Sequence, residues 1–267
     1  MTYAMKPLSC DPAKLTGLSE RLILSHYLYS DPKGGKTMLT KKWHWFALSL
    51  VWVAAELCTI LTTAAAAEFK WTFDDVAQGG LPKGWKIDAT NPSGKLAEWK
   101  VVADADAPSK PNVLTITRIN DTSGSVFNVC WTRDVVFQDG EIEVKIRANT
   151  GKKDQGGGVI WRVRDANNYY IARYNPLESN FRLYYVRNGD RRQLASARGI
   201  DIEAGKWFTL KIVQHGDKME GYLNGKKYIE ATDKTFIEPG GIGLWTKSDA
   251  ASSFDDFSVV SANSKMN

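Results

Sequence analysis

From Gly156 to Ala197 the chain reads GGGVIWRVRDANNYYIARYNPLESNFRLYYVRNGDRRQLASA. Short aromatic and β-branched runs alternate with turn residues, and the period is two. Asn and Asp bond their own backbone and accept left-handed geometry, so Asp165-Ala166-Asn167-Asn168 reads as a turn. With Arg164 opposite Tyr169, the following pairs are Val163 with Tyr170, Arg162 with Ile171, Trp161 with Ala172 and Ile160 with Arg173. Side chains alternate faces along a strand, so each pair shares a side. One face then carries Val159, Trp161, Val163, Tyr170, Ala172 and Tyr174. The other carries Arg162, Arg164, Tyr169 and Arg173 with two isoleucines. Pairing Tyr174 with Phe181 across residues 175–180 extends the sorting, with Leu183 and Tyr185 on the apolar side and Arg182 and Tyr184 on the arginine side. A slip of one residue would bury the arginines at a cost on the order of several kcal/mol each, which fixes the parity of the register. Asn188-Gly189 marks a tight hairpin.

Beyond this meander, the sequence from Glu68 onward shows no sustained helical period. Strand-like runs recur at Lys70 to Phe73, Glu98 to Ala103, Val113 to Ile119, Val126 to Phe137, Glu141 to Ala148, Trp207 to Gln214, Lys218 to Leu223, Lys226 to Ala231, Gly241 to Thr246 and Phe254 to Val260. Ile142, Val144 and Ile146 alternate with charged neighbours, and Asn224-Gly225 closes a second tight hairpin. Half-buried strands need a second sheet over their apolar faces, so the expected fold is all-β, a sandwich of two antiparallel sheets over residues 68–261 with a polar tail at 262–267. The 267 residues are 43% hydrophobic and 24% charged, enough chain for one substantial core. The net charge of +5 comes from basic residues scattered among acidic ones, which argues against a nucleic-acid partner.

The N-terminal part follows another grammar. From Met38 the chain reads MLTKKWHWFALSLVWVAAELCTILTTAAAAEF. Two lysines, an apolar run and small residues at the end make a signal peptide over 38–67, with cleavage after Ala67. The expected location of the domain is therefore secreted or periplasmic. An uncleaved anchor is the alternative, since Trp43 to Ala67 could cross a bilayer of roughly 30 Å if Glu56 were tolerated, and only then would a membrane be a partner. Residues 1–37 precede a signal that should open the protein, so Met38 reads as the true start. Within that leader GLSERLILSHY, Gly17 to Tyr27, resembles the N-terminal helix of iron/manganese superoxide dismutases. Nothing downstream supplies further ligands for His26. Cys10 and Cys58 lie in the leader and the signal, which leaves Cys130 alone in the domain. It cannot form an internal bridge, and in VFNVCWT it reads as a small buried hydrophobe, with only His215 available to activate it.

The order of motifs along the domain carries a resemblance. The opening WTFDDV with LPKGWKI is followed by VFQDGEIEVKIRA, GGGVIWRVRDANNYYIARYN, AGKWFTLKIVQHGDKMEGYLNGKKYIEATD and GGIGLWTKSDAASSFDDFSVV. This resembles the concanavalin A-like jelly-roll group that includes laminin-G-like domains, 3-keto-disaccharide hydrolase domains and relatives of glycoside hydrolase family 16. The resemblance implies a jelly roll and a carbohydrate partner, a polysaccharide or oligosaccharide. Family 16 enzymes carry an E-x-D-x-E or E-x-D-x-x-E triplet on one strand face. Here DGEIEVKIR offers Glu141 and Glu143, but Lys145 occupies the next outward position and no third carboxylate follows. Whether the domain cleaves is open. One reading is a carbohydrate-active hydrolase with different chemistry; the other is a non-catalytic laminin-G-like binding or adhesion module.

The expected substrate-binding residues are Arg162, Tyr169, Arg173, Arg182, Tyr184 and Trp245. Tyrosine and tryptophan rings stack on sugar faces, and arginine forks donate several hydrogen bonds to hydroxyls or a carboxylate. The competing reading is an exposed face whose arginines lie over tyrosines and pair with nearby acids. Trp131 and Trp161 read as core. No cofactor is assigned, although Asp74 and Asp75 in FDDV and Asp255 and Asp256 in FDDF could meet and hold calcium if the first and last strands are neighbours.

Overall fold

The computed structural model describes residues 67–261, within the second of two units, Met1–Thr62 and Thr63–Asn267, into which the chain divides. The expectations for residues 1–37, for most of the signal, for His26 and for the tail at 262–267 lie outside the described residues.

Two-residue turns with both residues at positive φ shape the hairpins. Asn188 (φ 53°) and Gly189 (φ 83°) form one, and Asn224 (φ 48°) and Gly225 (φ 78°) another. This geometry matches the right-handed twist of the flanking strands, which is why Asn-Gly stands at both sites. Fifteen strands follow in order: β1 (Ala67–Trp71), β2 (Trp85–Thr90), β3 (Glu98–Ala103), β4 (Asn112–Arg118), β5 (Phe127–Phe137), β6 (Gly140–Thr150), β7 (Gly157–Asp165), β8 (Asn168–Asn175), β9 (Asn180–Arg187), β10 (Asp190–Arg198), β11 (Trp207–His215), β12 (Lys218–Leu223), β13 (Lys226–Thr232), β14 (Gly240–Lys247) and β15 (Ala251–Ser261). Every pairing is antiparallel. One sheet runs β13-β12-β11-β6-β15-β4-β3, with β1 also on β15; the other, the meander sheet, runs β10-β9-β8-β7-β14-β5-β2. Together they form a jelly-roll sandwich.

The inner faces of the two sheets make the main core. Ile142, Val144 and Ile146 from β6 meet Val159, Trp161, Tyr170, Ala172, Phe181 and Leu183 from the meander, all fully buried. The Trp161 indole N–H donates across the sandwich to Gln214 Oε1 at 2.8 Å, which satisfies a donor that burial would otherwise strand. Cys130 lies in this core, and burial pushes its thiol well above the ordinary value. His215 is exposed on the opposite sheet, so the cysteine has no base beside it.

The meander departs from regular pairing at one place. Trp161 stands opposite Tyr170, not Ala172, and Asp165 opposite Asn168, so residues 162–164 bulge against Tyr169 alone. The slip relative to the expected register is two residues. Parity survives a slip of two, which is why Trp161 and Tyr170 are still core. Within the bulge it does not survive: Val163 leaves the core face and joins a second apolar cluster with Ile160, Tyr169, Ile171, Tyr184 and Trp245. Arg162 takes a left-handed φ of 47°. Strand β2 carries Trp85 and Ala89 inward and had no counterpart among the expected strands.

That second cluster occupies the outer face of the meander sheet, which curls. Arg191 on edge strand β10 lies 4.9 Å from the ring of Phe127 on β5, the sixth strand in the sheet order and five strand spacings away. On a flat sheet those strands would be about 24 Å apart at the usual spacing. Thr90 at the end of β2 donates to the Ala166 carbonyl, and Asn91 Nδ2 donates to the Gly189 carbonyl at 3.0 Å, which ties the two edges together. The outer face is therefore concave, and its own side chains fill it.

Candidate functional site

The concave face is assembled in rows by strand register. Trp245 on β14 stands opposite Gly158 on β7, Gly158 opposite Arg173 on β8, and Arg173 opposite Arg182 on β9. Gly158 puts no side chain between the indole and the first guanidinium. A Cβ there would run into the Ala172 carbonyl, so the backbone also demands glycine. Tyr184 lies one step along β9 on the same face, and its hydroxyl accepts from Arg173 Nη2 and Arg182 Nη1, each at 3.4 Å. Arg191, on edge strand β10 next to β9, covers the group, 4.4 Å from the Tyr184 ring and 5.9 Å from that of Trp245.

Arg173 is 1% exposed. Its Nη1 donates to Asn180 Oδ1 at 3.0 Å and its Nη2 to Glu178 Oε2 at 2.9 Å, but its Nε has no partner. Arg191 Nη1 is also buried without a partner. These are the two guanidinium nitrogens so placed among the described residues, and they flank the same tyrosine. Trp245 Nε1 is likewise unpartnered. Indoles in the same state occur elsewhere, at Trp85, Trp99, Trp131 and Trp207, so the arginines carry the argument. A buried donor without an acceptor costs ~1–3 kcal/mol, and more when it is charged.

Two carboxylates lie beside these arginines, and Asp88 faces the same side from β2 near Tyr169. Glu178 accepts from Arg173, from Arg182 and from Asn180 Nδ2 at 2.9 Å. Burial opposes its ionisation, but Asn180 and Arg173 outweigh it and hold its carboxyl at about 2. Asp154 pairs with Lys247 at 2.8 Å and accepts from Asn175 Nδ2 at 2.9 Å. Burial is the largest influence on both arginines. It lowers Arg191, whereas at Arg173 the Tyr184 oxygen and the Glu178 hydrogen bond prevail and the shift is upward.

The expected residues divide accordingly. Arg173, Tyr184, Trp245 and the less buried Arg182 come together. Tyr169 lies in the same apolar cluster, but its hydroxyl is 2.6 Å from Thr90 Oγ1 and burial pushes the phenol up, so it ties β8 to β2. Arg162 stands apart from the group, contrary to the regular register. Its Nε donates to the Gln138 carbonyl, its Nη1 to that of Phe236 and its Nη2 to that of Gly216, at 3.0, 2.7 and 2.8 Å. With Asp139 on its remaining side, it clamps three loops. The face is also not an exposed one, since Tyr184 is 4% and Trp245 1% exposed. Arg191 was missed, although its signal was legible: across the Asn188-Gly189 turn it pairs with Val186, which shares a face with Tyr184.

Other candidates lie elsewhere. Glu141 and Glu143 are on β6 in the opposite sheet, where Glu141 pairs with Lys211 at 3.2 Å. β1 and β15 are neighbours, but the acidic pairs are engaged separately. Asp256 holds Lys70 at 3.0 Å and Lys145 at 2.8 Å, Asp255 accepts from the Ser109 amide and hydroxyl, and Asp74 accepts from the Asn112 amide. Among the described residues no cluster of three or more His, Cys, Asp or Glu is placed to hold a metal ion.

Comparison with known proteins agrees with this architecture. Carbohydrate binding module CBM66 from Bacillus subtilis superposes with a TM-score of 0.52 at 21% identity, covering 66% of this chain and 95% of the module. The cellulose induced protein Cip1 gives 0.50 at 16% identity, covering 72% and 97%. Both likenesses concern the fold. A stretch of 27 residues, 10% of the chain, is 78% identical to the Superoxide dismutase [Fe] of Cupriavidus metallidurans, of which the chain spans 14% of the length. That is the kind of likeness read from Gly17 to Tyr27. Residues 72–260 match the family model described as the 3-keto-alpha-glucoside-1,2-lyase-like domain. The match covers the described sandwich almost end to end, and the chain belongs to that family of carbohydrate-active domains.

Proposed function

We propose that the concave face of the meander sheet holds a saccharide, with Arg173, Arg182, Tyr184, Arg191 and Trp245 as its contacts. The observation that carries this reading is the pair of buried, unpartnered guanidinium nitrogens on either side of Tyr184. Sugar oxygens are the acceptors these donors lack. Tyr169 supports the floor, and Arg162 fixes the end of the sheet. Recognition is favoured over acid-assisted hydrolysis: Glu178 is committed to Arg173, Arg182 and Asn180, which favour its ionised form. A signal over 38–67 would deliver the domain outside the cytoplasm, and a secreted product whose first residue is Glu68 is the expected result of N-terminal sequencing.

The family supports a second reading. In a 1,2-elimination from a 3-keto-α-glucoside, the C2 proton and the C1–O bond are lost, C1=C2 forms, and the aglycone leaves as an alcohol. Negative charge gathers on the C3 oxygen, and two arginines with uncommitted N–H groups are suited to meet it. Titrating the full chain with oligosaccharides and 3-keto-glycosides tests both readings. Binding weakened roughly tenfold or more by Arg173→Ala supports the site, and an ultraviolet-absorbing enone supports elimination. Binding without product leaves a recognition module, and no binding to any sugar overturns the assignment.

A further inference from the structure

Beside Tyr184 four cations, Arg173, Arg182, Arg191 and Lys247, meet the carboxylates of Glu178 and Asp154, while Asp88 faces the same side from β2 near Tyr169. Glu178 and Asp154 are already committed. Glu178 is shared by Arg173 and Arg182, and Asp154 is held by Lys247 and Asn175. Arg191 is left without an ion pair among the described residues. Its charge rests on three aromatic rings, those of Tyr184, Phe127 and Trp245, with one nitrogen buried and bonded to nothing. Stacking on rings offsets part of the desolvation of a guanidinium but supplies no acceptor for its N–H groups. Across Tyr184, the free Nε of Arg173 presents a second donor of the same kind. A neutral sugar would satisfy the hydrogen bonds and leave the charge uncompensated.

We infer that the saccharide held here is acidic, bearing a carboxylate or sulfate group that sits between Arg191 and Arg173 beside Tyr184. This rests on the concave face being the sugar site and adds its charge class. Planar forks suit such oxyanions, and a charge-assisted hydrogen bond is stronger than a neutral one.

The test titrates the full chain with three matched trisaccharides: a neutral glucose trisaccharide, its counterpart ending in glucuronate, and its counterpart with a terminal 6-sulfate. At least one acidic sugar is expected to bind about tenfold or more tightly than the neutral one, the size of effect expected of a charge-assisted contact. The preference should shrink as salt is raised to about 1 M, where the screening length is roughly 3 Å. The two acidic arms tell a carboxylate site from a sulfate site. Arg191→Met, which keeps the stem and removes the charge, should abolish the preference while the unfolding midpoint of the ligand-free chain holds or rises. A lowered midpoint with the preference intact would give Arg191 a packing role and overturn the inference. Equal affinity for all three sugars also overturns it and leaves the sugar site standing, whereas no binding to any of them removes the site as well. Should Arg191→Met fail to fold, the wild-type comparison decides alone.

Discussion

The two faces of the meander are built from the same strands and treat their polar atoms differently. On the inner face, Trp161 Nε1 reaches Gln214, the Tyr170 hydroxyl donates to Asp233 Oδ1 at 2.7 Å and accepts from the Phe236 amide, and the Tyr174 hydroxyl donates to the Ile200 carbonyl at 2.8 Å. Each bulky inward side chain of β7 and β8 that carries a polar group has a partner. On the concave face, burial is as deep at Arg173, yet the guanidinium nitrogens Arg173 Nε and Arg191 Nη1 have none. Burial alone therefore does not mark a core. The proposed saccharide site rests on that difference.

The comparison breaks most visibly under substitution of the inner face. Trp161→Ala should lower the unfolding free energy by about 3–5 kcal/mol in denaturant melts, because a fully buried ring and its bond to Gln214 are lost together. Arg162→Met comes next. It strands carbonyls of Gln138, Gly216 and Phe236 and should cost roughly 2–4 kcal/mol. Saccharide affinity of the folded fraction should be unchanged, and a specific loss of affinity would put Arg162 back in the site. On the concave face, Tyr184→Phe should weaken saccharide binding by about three- to tenfold with under ~1 kcal/mol of stability lost, since its hydroxyl accepts only two long bonds from exchangeable arginines. The smallest effect concerns pH. Glu178 is depressed from 4.5 to about 2 in the folded chain, so its contribution is complete above pH 4.5 and is lost as pH falls from 4.5 through 2. The acid-unfolding profile of Glu178→Gln should lack that part of the loss, and identical profiles would mean that the carboxylate is not held by Asn180 and Arg173.

Much of this was legible in the residues. Alternation placed Trp161, Tyr170 and Leu183 in the core and Arg173, Arg182 and Tyr184 opposite them, and the Asn-Gly pairs set two hairpins where the structure has them. The bulge was not legible, because it requires a left-handed arginine with no glycine or proline to announce it. Its consequence was specific: a slip of two kept Trp161, Tyr170 and Ala172 in the core and misplaced Arg162 and Val163. The curl of the sheet is a property of seven strands together, and only that curl brings Arg191 from one edge onto Phe127 and Trp245 near the other. The closure of the face by β2 was hidden for the same reason, since Thr90 and Tyr169 are remote in sequence and meet only when the edges do.

The central claim is that the concave face, and not the clamp at Arg162, takes the ligand. Saccharide titration of Arg173→Ala beside Arg162→Met, each in the full chain and each checked for folding, tests it most directly. The account predicts affinity reduced about tenfold or more in the first and held at the wild-type value in the second. Affinity held in Arg173→Ala, or lost selectively in Arg162→Met, would contradict it.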